Sequence, residues 1–395
     1  LRNNTWKINQ WYDQSVAGNA AYSGFTTGQL WSWGNNEKGE LGLTNKTDYS
    51  SPKQIPGTTW LDIIGPSREV ESGGALKSDG TLWMWGQNAN GQLGQNSVVL
   101  YSSPVQIPGT TWKIRTDDET GATDRKYNIS GQNQNTFAIK TDGTLWSWGA
   151  NSQGQLGQNS RTYYSSPVQI PGTTWKYVHV GRDGGFFGIK TDGTMWTMGR
   201  GTQGRLGLND RTTRSSPVQI PGTTWRSVGG ADQTVFATRT DGTLWGWGNN
   251  NVGQIGANSR QNPGNSSPVQ VPGTTWKTVD TASSATIAIK TDGTLWAWGS
   301  SDSGALGLNQ SGLTRRSSPT QIGSDTNWSI VTNIGSEAFQ AVKTDGTLWS
   351  WGAQSDGQLG HNNNTNYSSP KQIPGTTWLS RIGGQNKGGF AIKTS

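Results

Sequence analysis

The chain has no cysteine among its 395 residues, which excludes disulfides, thiolate metal sites and cysteine nucleophiles together. Histidine is almost as scarce. The only two, His179 and His361, fall far apart and share no metal-ligand spacing, so neither a zinc centre nor a Ser-His-Asp triad is expected. Charged residues make up 14% of the chain, and the formal excess of +7 is spread without any run of five like charges. Nucleic-acid binders gather such charge into a stripe, so no specific nucleic-acid partner is expected. No apolar stretch approaches the roughly 18 residues of a membrane span, and no basic-apolar leader is visible. Membrane insertion is therefore not expected. The first residue is Leu1, which reads as processed ends or a piece of a longer chain. Helical periodicity is missing too, because Gly and Pro interrupt every stretch.

What is present repeats. The pair Trp-Gly recurs as Trp33-Gly34, Trp85-Gly86, Trp148-Gly149, Trp247-Gly248, Trp298-Gly299 and Trp351-Gly352, with Met198-Gly199 as a seventh copy. Successive spacings are 52, 63, 50, 49, 51 and 53 residues. The phrase SSPVQIPGTTW stands unchanged at 102–112, 165–175 and 215–225 and, with one substitution, at 266–276. Units of about fifty residues that bury their faces only against neighbours make one body, a single domain over 1–395.

The unit from Trp225 contains four short strand candidates: Trp225 to Gly229, Val235 to Thr240, Leu244 to Gly248 and Val269 to Val271. Asp241-Gly242 between the second and third favours a type I′ hairpin turn. Trp245 and Trp247, two apart, share a face. Pro272-Gly273 turns the chain into the next unit. The expected fold is all-β, a seven-bladed β-propeller of four-stranded antiparallel blades. Of the 22 tryptophans, all but Trp11 fall into the repeat, and their regularity points to wedges between blades.

At TDGTLWSWGANSQGQLG (141–157) the pattern becomes specific. It resembles the regulator of chromosome condensation repeat family, whose signature sets an aromatic-Trp-Gly strand before a Gly-Gln-Leu-Gly loop. That loop stands at 91–94, 154–157 and 357–360, with relaxed copies at 39–42, 204–207, 253–256 and 304–307. The resemblance covers essentially the whole chain and implies a seven-bladed ring. Members of the family include a nuclear exchange factor for a small GTPase, a plant ultraviolet receptor and a secreted inhibitor of β-lactamases. Similar repeats occur in bacterial surface proteins and phage particles. The lysine-rich tail and the Cys and His of the nuclear member, and the receptor's Gly-Trp-Arg-His motif, are not found. Near-identical, cysteine-free repeats are most similar to the prokaryotic and viral branch.

The ends compete for one place. Residues 376–394 repeat the first two strands of a unit, and a looser copy lies at 4–27. The C-terminal hairpin (376–395) is expected to close the ring with the strands at 30–55, leaving 1–24 outside it.

Recurrent Asp79, Asp142, Asp192, Asp241, Asp292 and Asp345 precede glycine and read as turn residues. A cation sits two residues before each, and Lys393 makes a seventh; a functional ring of cations is the lesser reading. Gly181-Arg182-Asp183-Gly184-Gly185 is followed by no helix and is not a phosphate loop. Units differ mainly between their third and fourth strands. Those stretches carry Tyr49, Tyr101, Tyr163, Tyr164, Arg211, Arg214, Arg260, Arg315, Arg316 and Tyr367. The third unit adds an insertion, 114–128, with Asp117, Asp118, Glu119, Asp124, Arg125 and Tyr127. Variable loops on a rigid scaffold carry recognition, and Tyr and Arg are favoured at interface centres.

The expectation is a non-enzymatic structural or recognition protein of a virus particle (a phage tail or capsid appendage) or of a bacterial surface. It needs no cofactor or metal, and it binds protein partners or copies of itself. A secreted inhibitor similar to the β-lactamase-inhibiting propeller and a glycan-binding lectin are the alternatives. An extracellular, virion or cell-surface location goes with all of these.

Overall fold

A computed structural model describes residues 30–393 apart from 35, 64–71, 114–127, 133, 182–183, 232, 311, 336, 355–357, 362, 377 and 386–387. The N-terminal segment 1–24 and the insertion's charged residues lie outside the described residues. So do Arg182 and Asp183.

The chain is all β. After β1 (Trp31–Gly34) and β2 (Tyr49–Gln54) come β3 (Trp60–Ile63), β4 (Ser72–Lys77), β5 (Leu82–Gly86) and β6 (Tyr101–Gln106). The next unit gives β7 (Ile129–Gln132), β8 (Asn135–Ile139), β9 (Leu145–Gly149) and β10 (Tyr164–Ile170). Then follow β11 (Trp175–Val180), β12 (Gly185–Lys190), β13 (Met195–Gly199) and β14 (Arg214–Ile220). The unit read in detail forms β15 (Trp225–Ala231), β16 (Thr234–Arg239), β17 (Leu244–Asn250) and β18 (Gln261–Val271). Two further sets are β19 (Trp276–Ala282), β20 (Ala285–Lys290), β21 (Leu295–Ser301), β22 (Thr314–Ile322), and β23 (Trp328–Asn333), β24 (Ala338–Lys343), β25 (Leu348–Gly352), β26 (Tyr367–Ile373). β27 (Trp378–Gln385) and β28 (Gly388–Lys393) end the chain.

Each set of four pairs in chain order, giving six four-stranded sheets, first to sixth from β3 to β26. β1-β2 and β27-β28 form two two-stranded sheets, and β28 packs beside β1.

Two expectations for the unit are corrected. The fourth strand is far longer than 269–271, beginning at Gln261, because register shifts at Gly248 and Asn250 let β17 and β18 stay paired beyond the Trp-Gly bend. Its prolines are tolerated because the strand is the outer one, where a missing N–H costs little. The Asp-Gly turn is not type I′, since Gly242 has φ +78° while Asp241 is not in the left-handed region. Gly242 N–H donates to Arg239 O and Arg239 N–H to Thr243 O, a longer reversal closed by one left-handed glycine.

The sheets pack face to face through tryptophan. In the fourth sheet, Trp225 meets Trp245 and Trp247 edge-on, with centroids 6.5 and 6.2 Å apart, which bears out the shared face. This face presses on Tyr177, Phe187, Ile189 and Ile220 of the third sheet. The opposite face, Phe236, Leu244 and Val271, receives Trp276 and Trp298 of the fifth. A buried indole removes about 200 Å² from water, an upper value of about 5 kcal/mol at roughly 25 cal/mol per Å². No single hydrogen bond approaches that, so the wedges dominate cohesion.

Two hydrogen bonds then fix each junction except that between the second and third sheets, where Met198 replaces the tryptophan and only the second bond is made. Nε1 of Trp85, Trp148, Trp247, Trp298 and Trp351 donates to a backbone oxygen of the preceding unit's Gly-x-Leu-Gly loop, at 2.8–3.0 Å. Two residues beyond that loop, Thr44, Asn96, Asn159, Asn209, Asn258 and Asn309 have positive φ. Their N–H groups donate to Ser102, Ser165, Ser215, Ser266, Ser317 and Ser368 on the next unit's outer strand, at 2.7–2.9 Å. The loop's first glycine must be small: a Cβ on Gly304 would lie 2.6 Å from Ser368 Cα.

Candidate functional site

Antiparallel order gives every sheet two ends. One end carries the second-to-third-strand turn and the connector to the next sheet. The other carries the loops between first and second strands and between third and fourth.

At the turn end the repeated residues serve each other. Asp241 Oδ1 accepts from Thr243 N–H and Oγ1, and Thr243 Oγ1 accepts from Trp245 Nε1. The same relay runs through Asp79, Asp142, Asp192, Asp292 and Asp345. Hydrogen bonds from Thr243 hold the Asp241 carboxyl below its usual range. The cations two residues earlier do not project as an anion-steering ring. Lys77, Lys140, Lys190, Arg239, Lys290 and Lys343 each lie over two indole rings, 4.1–5.2 Å from the centroids. This is cation–π packing. Lys393, the proposed seventh, has no described side-chain environment.

The loop end is built differently. A buried amide on the third strand's exit organises five of the long loops: Asn88 Oδ1 accepts from Leu93 N–H while Nδ2 donates to Ser97 O and Val99 O. Asn36, Asn151, Asn250 and Gln354 act alike. Sequence reading missed these residues, although the spacing Trp-Gly-x-Asn is their signal in four units. Anchored in this way, the loop tips are free to vary.

The ten residues picked from sequence divide into two groups. Six belong to the start of the outer strand, not to a loop. Tyr49, Tyr101, Tyr164, Arg214, Arg316 and Tyr367 sit opposite Gly34, Gly86, Gly149, Gly199, Gly299 and Gly352, and Asn265 takes that place opposite Gly248. Tyr101, Tyr164 and Tyr367 are half-buried against apolar clusters, so packing occupies much of their surface. Lys371 donates to the Tyr367 hydroxyl at 2.7 Å and lowers its pKa. Arg214 pairs with Asp210 at 2.6 Å. Of the rest, Arg315 pairs with Ser300 on the edge of β22, and Tyr163, Arg211 and Arg260 are loop residues, all exposed.

Other features of this end, Tyr163 apart, escaped the sequence reading. Arg161 is exposed there as well. The exposed large hydrophobic residues Val98, Val99, Tyr163 and Leu313, at 47–64% exposure, all lie in third-to-fourth-strand loops. Glu337 lies after β23 and Asp302 after β21. Burial raises the Glu337 carboxyl, while the hydrogen bond with Glu337 lowers Asp302. The histidines are structural neighbours of the sheets: His361 Nε2 lies 2.9 Å from Ser350 Oγ, and burial lowers its pKa. Among the described residues, no three His, Asp or Glu converge on a metal position. No helix there is long and apolar enough to cross a membrane.

With this geometry, the RCC1-like domain model matches residues 29–388. The chain belongs to the RCC1-like domain family. Human protein RCC2 is 33% identical over 136 residues, covering 34% of this chain and 24% of RCC2. The human E3 ubiquitin-protein ligase HERC2 is 28% identical over 151 residues, 38% of this chain and 3% of HERC2. The matched stretch is thus a small part of these curated relatives. Among solved structures, Prp20p from Saccharomyces cerevisiae superposes with a TM-score of 0.75 at 18% identity, covering 97% of this chain and 95% of that one. Human WBSCR16 gives a TM-score of 0.75 at 19% identity, with 94% and 100% covered. Both structures share the fold.

Proposed function

We propose that this RCC1-like chain is a non-enzymatic docking protein that binds protein partners through the loop end of its sheets. The observation that carries the reading is the contrast between ends. One is consumed by repeated Asp-Thr-Trp relays and cation–π stacks. The other presents differing loops with exposed Val98, Val99, Tyr163 and Leu313. A fold neighbour, Prp20p, is described by its binding properties toward Gsp1p and histones, which supports protein binding as a use of this scaffold.

In this proposal β27-β28 and β1-β2 together make a seventh blade, with β28 next to β1, and residues 1–24 stay outside the ring. The contact between β28 and β1 supports it. We also propose a place on a virus particle or bacterial surface, on the strength of the near-identical, cysteine-free repeats. A lectin would use exposed tyrosines; Tyr163 is exposed, whereas Tyr101, Tyr164 and Tyr367 are packed on the core.

The test is photo-crosslinking in the native particle or extract. A photoreactive residue at Tyr163 or Arg211 is expected to trap a partner, and one at Asp142 or Asp241, on the turn end, is not. Crosslinks confined to the turn end would overturn the reading.

A further inference from the structure

The arginines of the loop end are not scattered. The stretches 158–167, 208–217, 257–268 and 308–319, from the second to the fifth sheet, hold six arginines, one aspartate and no lysine or glutamate. The junction bonds bring them together across sheets. Asn159 N–H donates to Ser215 O, which carries Arg161 toward Arg214. Asn258 N–H donates to Ser317 O, which carries Arg260 toward Arg316. Arg211 and Arg315 continue the arc, and Arg161, Arg211, Arg260 and Arg315 are exposed. The repeat therefore gathers six of the chain's 32 cations on one rim, where Asp210 and Asp302 are the acids of the same loops.

We infer that this rim docks a carboxylate-rich protein surface with apolar side chains among its acids. The inference rests on the loop end being the docking face. Its chemistry follows from two observations. First, the cations here are arginine throughout, whereas the cation–π stacks at the turn end use lysine in five of six cases. A planar guanidinium meets a carboxylate or phosphate through two parallel bonds, which an ammonium does not do. Second, exposed apolar residues share the end with them: Leu313 and Tyr163 within the arc, Val98 and Val99 in the adjoining first sheet. A phosphate or sulfate polymer offers little to cover Val98 and Leu313. A folded protein or peptide with interleaved acids and leucines covers both kinds of group.

The experiment uses the full chain and three fluorescent probes of equal negative charge: a Glu-Glu-Leu repeat peptide, polyglutamate and duplex DNA. The expected result is tightest binding of the Glu-Glu-Leu peptide, weakening as salt rises. The combined substitution of Arg161, Arg211, Arg260 and Arg315 by Gln should lower that affinity about tenfold or more. The corresponding Lys variant should recover only part of it, and V98S/V99S should remove the peptide's advantage over polyglutamate. All four arginines are exposed, and an unchanged melting temperature verifies the fold of each variant. Tighter binding of DNA, or equal binding by the Gln variant, overturns the inference. If crosslinks still form at Tyr163 but no acidic probe binds, the acidic partner is wrong while the docking face stands.

Discussion

At the scale of single residues, the same amino acid does different work according to which strand it stands on. Trp298 is fully buried and donates Nε1 to Gln254 O of the preceding unit. Trp298→Phe keeps the wedge and removes one of the two donors to that buried oxygen, Thr286 Oγ1 remaining, so a loss of about 1 kcal/mol is expected in urea unfolding. Lys290 stacks between Trp276 and Trp296, and Lys290→Met should cost about 1 kcal/mol although it removes an isolated-looking charge. Glu337 has its pKa raised by burial. Its favourable contribution is complete below the ordinary value of about 4.3 and is lost as pH rises through the raised value. Glu337→Gln is therefore expected to melt higher than the parent at neutral pH, with the gap closing near pH 4. The turn aspartates have the opposite sign. Hydrogen bonds from Thr294 lead in holding Asp292 low, so its contribution holds above about 3.9 and fades as pH falls through the lowered value. Asp292→Asn should melt lower than the parent at pH 6 and converge with it in stronger acid.

At the scale of the element, strand order and tryptophan positions were legible because period-2 alternation and repeat spacing are local signals. The outer strand was not. Its pairing with β17 continues past Gly248 only through bulges that a sequence pattern does not mark. Turn type was missed for a related reason: Asp-Gly allows I′, but the Asp side chain is committed to Thr243 and Gly alone takes the left-handed angle. The candidate site was half legible. Variable stretches did identify the loop end, yet a one-dimensional reading could not show that Tyr101 folds onto the core or that the loop holding Arg161 is bonded to the strand holding Arg214. Junction glycines give a direct test of element packing. Gly304 sits at φ +81° with Ser368 Cα 2.6 Å from a hypothetical Cβ, so Gly304→Ala should destabilise by more than about 1 kcal/mol. The measured quantity is the denaturation midpoint, and an unchanged value would mean that the loop can lift off its neighbour.

At the scale of the molecule, repetition sets a separate apolar cluster at each interface between neighbouring sheets, and stability is a sum over neighbours. The proposed seventh blade predicts that residues 376–393 can be moved from the end of the chain to just before Leu30. Such a permutant is expected to fold with a melting temperature within about 5 °C of the parent. A permutant that fails to fold, while a chain lacking 376–393 folds normally, would assign the closing strands to the N-terminal segment instead.

The serine–loop junctions all run the same way round: the protruding loop belongs to the earlier unit and the receiving strand to the later one. An incomplete set of units therefore has a plug at one extremity and an empty socket at the other, and the two are complementary. Fragments of this protein carrying three or four units should not remain solitary. They are expected to join end to end, and where their units add up to a full circle the resulting rings should be discrete in mass, not open fibres.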